Sequence, residues 1–261
     1  QPGVMGESAT LAATGPLRVT FDKVTFGYDP DEPVLHDIDL DIAPGRVVGL
    51  LGRTGSGKTT ISRLLFRLYD VQQGKIWLGG ADICSLEPAQ LRHRVGIVTQ
   101  SVQLFRGTVR DNLTFFDASI PDGHIQDVID TMGLGDWFGA LSDGLDTELQ
   151  SGDGGLSAGE AQLLVFTRVF LKDPGLVILD EASSRLDPAT EAQIERAIDH
   201  LLDQRTGIII AHRLATVARA DEIVILDDGR IAEKGDREAL AADPETRFHS
   251  LLQTGLSELL A

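Results

Sequence analysis

The chain predicts an α/β fold: a largely parallel sheet with an antiparallel β-subdomain at its N-terminal side. Three observations predict it. Short apolar runs alternate with amphipathic helical stretches, as strands buried between helices do. The first two strand-like segments instead alternate apolar and polar residues in period two. A glycine-rich loop joins one apolar run to a helix.

In order, residues 1–16 lack periodicity and are rich in Gly, Ala, Ser and Thr, as a linker or frayed end is. With Gln1 rather than Met in first place, they suggest a piece of a longer polypeptide. LRVTFDKVTFGY (17–28) and VLHDIDLDI (34–42) are the alternating pair, joined by the turn-rich DPDEP. VVGLLG (47–52) reads as a buried strand, followed by the glycine loop and a helix over 58–68. VGIVTQ, LVILDE, TGIIIAH and EIVILDDG supply four more buried strands. Residues 108–172 show helical periodicity and little strand signal, which predicts a helical insertion in the α/β core.

Composition narrows the function. At 261 residues, 42% hydrophobic and 24% charged, the chain is an ordinary globular one that can bury a core without staples. No apolar run approaches the roughly 18 residues of a membrane span. The single cysteine, Cys84, excludes an intramolecular disulfide and a cysteine-cluster metal site and makes the cytosol the simplest compartment. The net charge is −17, with −4 over 1–130 and −13 over 131–261. Such a chain has no broad basic footprint for nucleic acid; the acidic excess serves solubility.

Three motifs carry chemistry. Gly52-Arg53-Thr54-Gly55-Ser56-Gly57-Lys58-Thr59 has the G-x-x-x-x-G-K-[ST] pattern between a strand and a helix. There, backbone N–H groups wrap phosphate oxygens, the helix start adds partial positive charge, Lys58 reaches the β- and γ-phosphates, and Thr59 offers a hydroxyl to Mg²⁺. LVILDE delivers Asp180 and Glu181 at the carboxyl end of a buried strand, where open α/β sheets bind ligands. Asp180 suits the shell of Mg²⁺, and Glu181 suits taking a proton from attacking water. LSAGE (156–160) opens a helical run. In isolation Ser157-x-x-Glu160 is a capping box, although a helix start is also an anion site.

The phosphate loop, LSAGE, LVILDE and IIIAH, in that order, resemble the nucleotide-binding domain of ATP-binding cassette (ABC) proteins over nearly everything from Leu17 onward. The resemblance implies a RecA-like P-loop NTPase core over 17–261, with a helical subdomain at about 101–172, and ATP with Mg²⁺ as its ligands. It implies that LSAGE is the signature, whose Ser157 and Gly159 contact ATP held by a second nucleotide-binding domain. Residue by residue it also implies that Tyr28 stacks on adenine, that Gln100 touches Mg²⁺, that Asp187 crosses the dimer interface, that His212 meets the γ-phosphate, and that Ser56 and Thr60 add phosphate contacts. LFRGTVRDNLTF (104–115) and the spacing of FDKVTFGYDPDEPVLHDIDLDI (21–42) resemble exporter-type domains. That implies a transmembrane domain as partner and a place at the cytoplasmic face of a membrane. The chain departs from the pattern at Ala158, Glu160, Arg185 and in TELQSGDGG (147–155), where a glutamate is expected near Ser151. The competing readings are a cassette ATPase acting on nucleic acid or ribosomes, which usually shows basic surfaces or long insertions, and a non-hydrolysing partner domain, against which Glu181 and His212 argue.

Overall fold

The computed structural model describes residues 10–99, 103–149, 156–180, 187–210 and 214–254. Gln100, Ser151, Glu181, Arg185 and His212 lie outside the described residues. The strands are β1 (Val19–Phe26), β2 (Leu35–Ile42), β3 (Val47–Gly52), β4 (Gln73–Leu78), β5 (Ala81–Asp82), β6 (Val95–Val98), β7 (Gly107–Thr108), β8 (Glu148–Leu149), β9 (Leu176–Asp180), β10 (Thr206–Ile210), β11 (Glu222–Asp227) and β12 (Arg230–Asp236). The principal helices are α1 (Lys58–Leu65), α2 (Pro88–Arg94), α3 (Val109–Thr114), α4 (Asp122–Thr131), α5 (Gly135–Gly139), α6 (Ala158–Leu171) and α7 (Pro188–Leu202).

The main sheet has the order β12-β11-β3-β10-β9-β6. All its neighbours are parallel except β12, which folds back on β11 as a hairpin. The second sheet, β2-β1-β4-β5, is antiparallel. Its strand β4 is absent from the sequence reading, because the Gln-Gly-Lys start of the strand is exposed and breaks the alternation.

The apolar runs of the main sheet serve two cores at once, because successive side chains of a strand point to opposite faces. Leu51, Val177, Leu179 and Ile209 enter one core with α3, α4, α6 and α7. Leu50, Leu176, Ile178 and Ile208 enter the other, with α1 and the antiparallel sheet. This is why these strands read as unbroken apolar segments while β1 and β2 alternate. The described residues of the segment 108–172 are largely helical, and the short antiparallel β7–β8 pair ties its first residues to Glu148 and Leu149. Residues 10–16, read as linker, form neither helix nor strand, but Leu11 is buried in the second core and Arg94 donates to the Gly15 carbonyl.

Helix α1 ends at Leu65, short of the expected Leu68. Arg67 turns left-handed at φ 49°. The N–H of Arg67 then donates to the Leu64 carbonyl and that of Leu68 to the Arg63 carbonyl, each at 2.9 Å. This is a Schellman closure with arginine in the place glycine usually takes.

Candidate nucleotide-binding site

The parallel register gathers distant residues on one edge. Ile210 lies level with Asp180 on β9 and with Leu50 on β3, and Val98 lies level with Leu179. The phosphate loop after β3, Asp180 ending β9, and the chain positions two residues before Gln100 and His212 therefore share the carboxyl edge of the sheet. A cleft of about 470 Å³ opens there, lined by Tyr28, Val34, Thr54, Gly55, Gly57, Lys58, Thr59, Thr60, Arg63 and Asp180.

The loop is built for an anion. Gly57 caps α1 at φ 105°, a conformation that favours glycine, and a Cβ there would come within 2.5 Å of Leu35. The start of α1 has no side-chain cap and no acidic residue in its first turn, so no carboxylate of the helix itself caps its backbone donors. Lys58 is 5% exposed and donates to the Gly52 carbonyl at 2.6 Å and the Arg53 carbonyl at 2.8 Å. The Ser56 hydroxyl is buried with no hydrogen-bond partner. A buried orphan hydroxyl is costly unless something completes it, and a phosphate oxygen has the right chemistry. Arg53 lines a separate cavity with Asp227, Asp228 and Arg247.

Tyr28 is 46% exposed at the rim. Its ring makes edge contacts with Phe26 and with Tyr69, both at 5.2 Å between centroids. Its hydroxyl meets Thr60 Oγ1 at 3.2 Å and accepts from Arg63 at 2.8 Å. That bond raises the Arg63 pKa. Arg63 and Tyr69 are absent from the sequence reading. The signal for Arg63 was helical spacing alone, since it stands four residues after Thr59 on the same face of α1.

Ser157, Gly159 and Asp187 do not line this cleft. They form a second group. Gly159 sits so close to α7 that a Cβ would come within 2.0 Å of the Thr190 methyl. Thr190 in turn donates its hydroxyl to Asp187 at 2.6 Å, and Asp187 caps α7 through the N–H groups of Ala189 and Thr190. The hydroxyl first, then the backbone donors, hold the Asp187 carboxyl below its ordinary pKa. The capping box at Ser157 is present in both directions.

Residues 35–184 match the family described as ABC transporter. The chain belongs to the ABC transporter family. It is 44% identical over 247 residues to the mycobactin import ATP-binding/permease protein IrtA of Mycolicibacterium smegmatis, covering 95% of this chain and 28% of that protein. It is 42% identical over 224 residues to the ATP-dependent lipid A-core flippase of Sodalis glossinidius, covering 85% and 38% respectively. It is 40% identical over 240 residues to the mitochondrial iron-sulfur clusters transporter ATM1 of Kluyveromyces lactis, covering 90% and 33%. Among solved structures, a bacterial Atm1-family ABC exporter with ATP bound superposes with a TM-score of 0.84 at 35% identity, over 94% of this chain and 43% of that one. The chain thus spans less than half the length of these ABC proteins. Their names speak of an import permease, a flippase, a transporter and an exporter; none is named for nucleic acid or ribosomes. No helix among the described residues is long and apolar enough to cross a membrane.

Proposed function

We propose that this chain is the ATP-hydrolysing motor domain of an exporter-type ABC transporter, joined to a transmembrane domain and working at the cytoplasmic face of the membrane. One observation carries the reading: the site is split. Tyr28, Lys58, Thr59 and Asp180 share a cleft, while Ser157, Gly159 and Asp187 form a separate group. A triphosphate that uses both groups is sandwiched between two domains. Binding of two ATPs then draws two copies, or this chain and a related one, together, and hydrolysis releases them. In this reading residues 101–172 act as the helical subdomain that carries Ser157, and no nucleic acid is needed.

Within the cleft Tyr28 presents an aromatic face for the base, and Lys58 with the α1 start neutralises the phosphates. Thr59 and Asp180, together with Gln100, are the residues that would hold Mg²⁺, which supplies further charge neutralisation when bound. Glu181 takes a proton from water as the water oxygen bonds to the γ-phosphorus and the bond to ADP breaks. His212 and Ser157 of the second copy steady the transferred group. The direction of transport is not written in this domain, since a relative named for import and a flippase resemble it about equally.

The test is Glu181→Gln, which keeps size and a hydrogen-bonding oxygen but cannot take the proton. Loss of a general base lowers the rate about 10²- to 10⁴-fold. The variant accumulates as an ATP-bound dimer by light scattering while the parent stays mostly monomeric under turnover. Hydrolysis near the parent rate would overturn the assignment of Glu181, and a variant that stays monomeric at saturating ATP would overturn the sandwich.

A further inference from the structure

The chain contains two helix starts assigned to phosphate, and they are built oppositely. At α1 the N-cap Gly57 makes no side-chain cap, no acid stands in the first turn, and the Ser56 hydroxyl has no partner. At α6 the N-cap and N3 backbone donors and the capping hydroxyl are engaged by the helix's own side chains. Glu160 Oε2 accepts from the Ser157 backbone N–H at 2.8 Å and from the Ser157 hydroxyl at 2.8 Å. The Glu160 N–H donates to Ser157 Oγ at 3.2 Å. The Ser157 hydroxyl proton, which a phosphate would need, is committed to a carboxylate. The α6 sequence offers no basic residue before Arg168, eight positions on and about 12 Å along the axis. Arg168 is itself buried and donates to the Asn112 and Gln103 carbonyls.

From this we infer that Glu160 is an electrostatic brake on ATP-driven pairing: this chain joins a strong phosphate loop to a weak signature. The inference rests on the sandwich reading above. To receive the triphosphate held by a second domain, Ser157 must trade a carboxylate for a phosphate, with the displaced negative charge still beside it. Like charge at that distance opposes closure, so the dimer forms only at a higher ATP concentration than it would with a neutral residue there. The partner that pairs most tightly with this phosphate loop is a related domain with an uncharged residue at the position of Glu160.

The experiment uses the Glu181→Gln chain as background, with Mg-ATP as the probe and light scattering as the readout. Glu160→Gln keeps an acceptor for the Ser157 N–H and removes the charge. The ATP concentration for half-dimerisation falls about tenfold or more, the scale of one charge-assisted contact, and the gain shrinks in high salt. Glu160→Asp keeps the charge and stays within about threefold of the background protein. Glu160→Ala removes charge and cap together, so it also dimerises at lower ATP but melts earlier, which separates charge from helix capping. If the background protein dimerises and Glu160→Gln leaves its ATP requirement unchanged or raises it, the brake is overturned and the sandwich stands. If neither protein dimerises at any ATP concentration, both fall together.

Discussion

Gly159→Ala tests the contact that locks the signature to the Asp187 turn. In an ordinary helix this change is favourable, by about 0.5–1 kcal/mol. Here the new Cβ lies 2.0 Å from the Thr190 methyl, while the Thr190 Cβ and Oγ1 stand at 3.4 and 3.6 Å. Only the methyl clashes. It belongs to a β-branched side chain whose hydroxyl is held by Asp187, so it cannot rotate away without breaking the 2.6 Å bond. Separation of α6 from α7 is then the relief, and overpacking of that kind costs about 1–3 kcal/mol. The net expectation is destabilisation by about 1–2 kcal/mol, or a urea midpoint lowered by about half a molar. Thr190→Ser removes the methyl and keeps the hydroxyl. In the Thr190→Ser background Gly159→Ala becomes neutral or stabilising, giving a coupling of at least about 1 kcal/mol in the double-mutant cycle. Urea unfolding followed by circular dichroism measures all four proteins. Additive effects, or a Gly159→Ala chain as stable as the parent with Thr190 intact, would refute the close approach.

Three further outcomes follow from the site. Lys58→Ala removes the buried ammonium of the phosphate loop and weakens ATP by about 10- to 150-fold, the equivalent of about 1.5–3 kcal/mol; calorimetry checks this, and unchanged affinity places the phosphates elsewhere. Tyr28→Ala loses a stacking face worth about 1–3 kcal/mol, whereas Tyr28→Trp binds ATP like the parent; equal binding by both variants leaves Tyr28 a surface residue. The Asp187 carboxyl titrates below its ordinary value because its ionised form accepts from Thr190. The capping it provides is therefore complete above the ordinary aspartate pKa and is lost only as pH falls through the lowered folded value. NMR titration of the carboxyl should show this, and Thr190→Val should move the midpoint up; a midpoint at or above the ordinary value, or no movement, disproves the bond.

Some of this molecule is legible in the chain alone. The phosphate loop is local: its glycines, Lys58 and Thr59 are consecutive, so their geometry depends on neighbours in sequence. The capping box at Ser157 and Glu160 is local for the same reason, and both of its hydrogen bonds form. The buried strands are legible because a strand covered on both faces has no polar positions to spare. The sequence read α1 three residues too long, because Arg67 in a left-handed turn carries no signal that distinguishes it from a helical arginine. It also missed β4, whose exposed start obeys no alternation.

What tertiary structure decided is which distant residues meet. Asp180 reaches the same cleft as Lys58 through parallel register across β10, which separates β3 from β9 in the sheet. Arg63 meets Tyr28 because the antiparallel sheet packs over α1. Gly159 needs to be glycine because α7 lies against it, and no pattern within LSAGE names Thr190 as the obstacle. Local patterns report backbone preference and which face is apolar. Register, close approach and the separation of the Lys58 cleft from the Ser157, Gly159 and Asp187 group are set by how whole elements pack, and that information exists only once the two cores have formed.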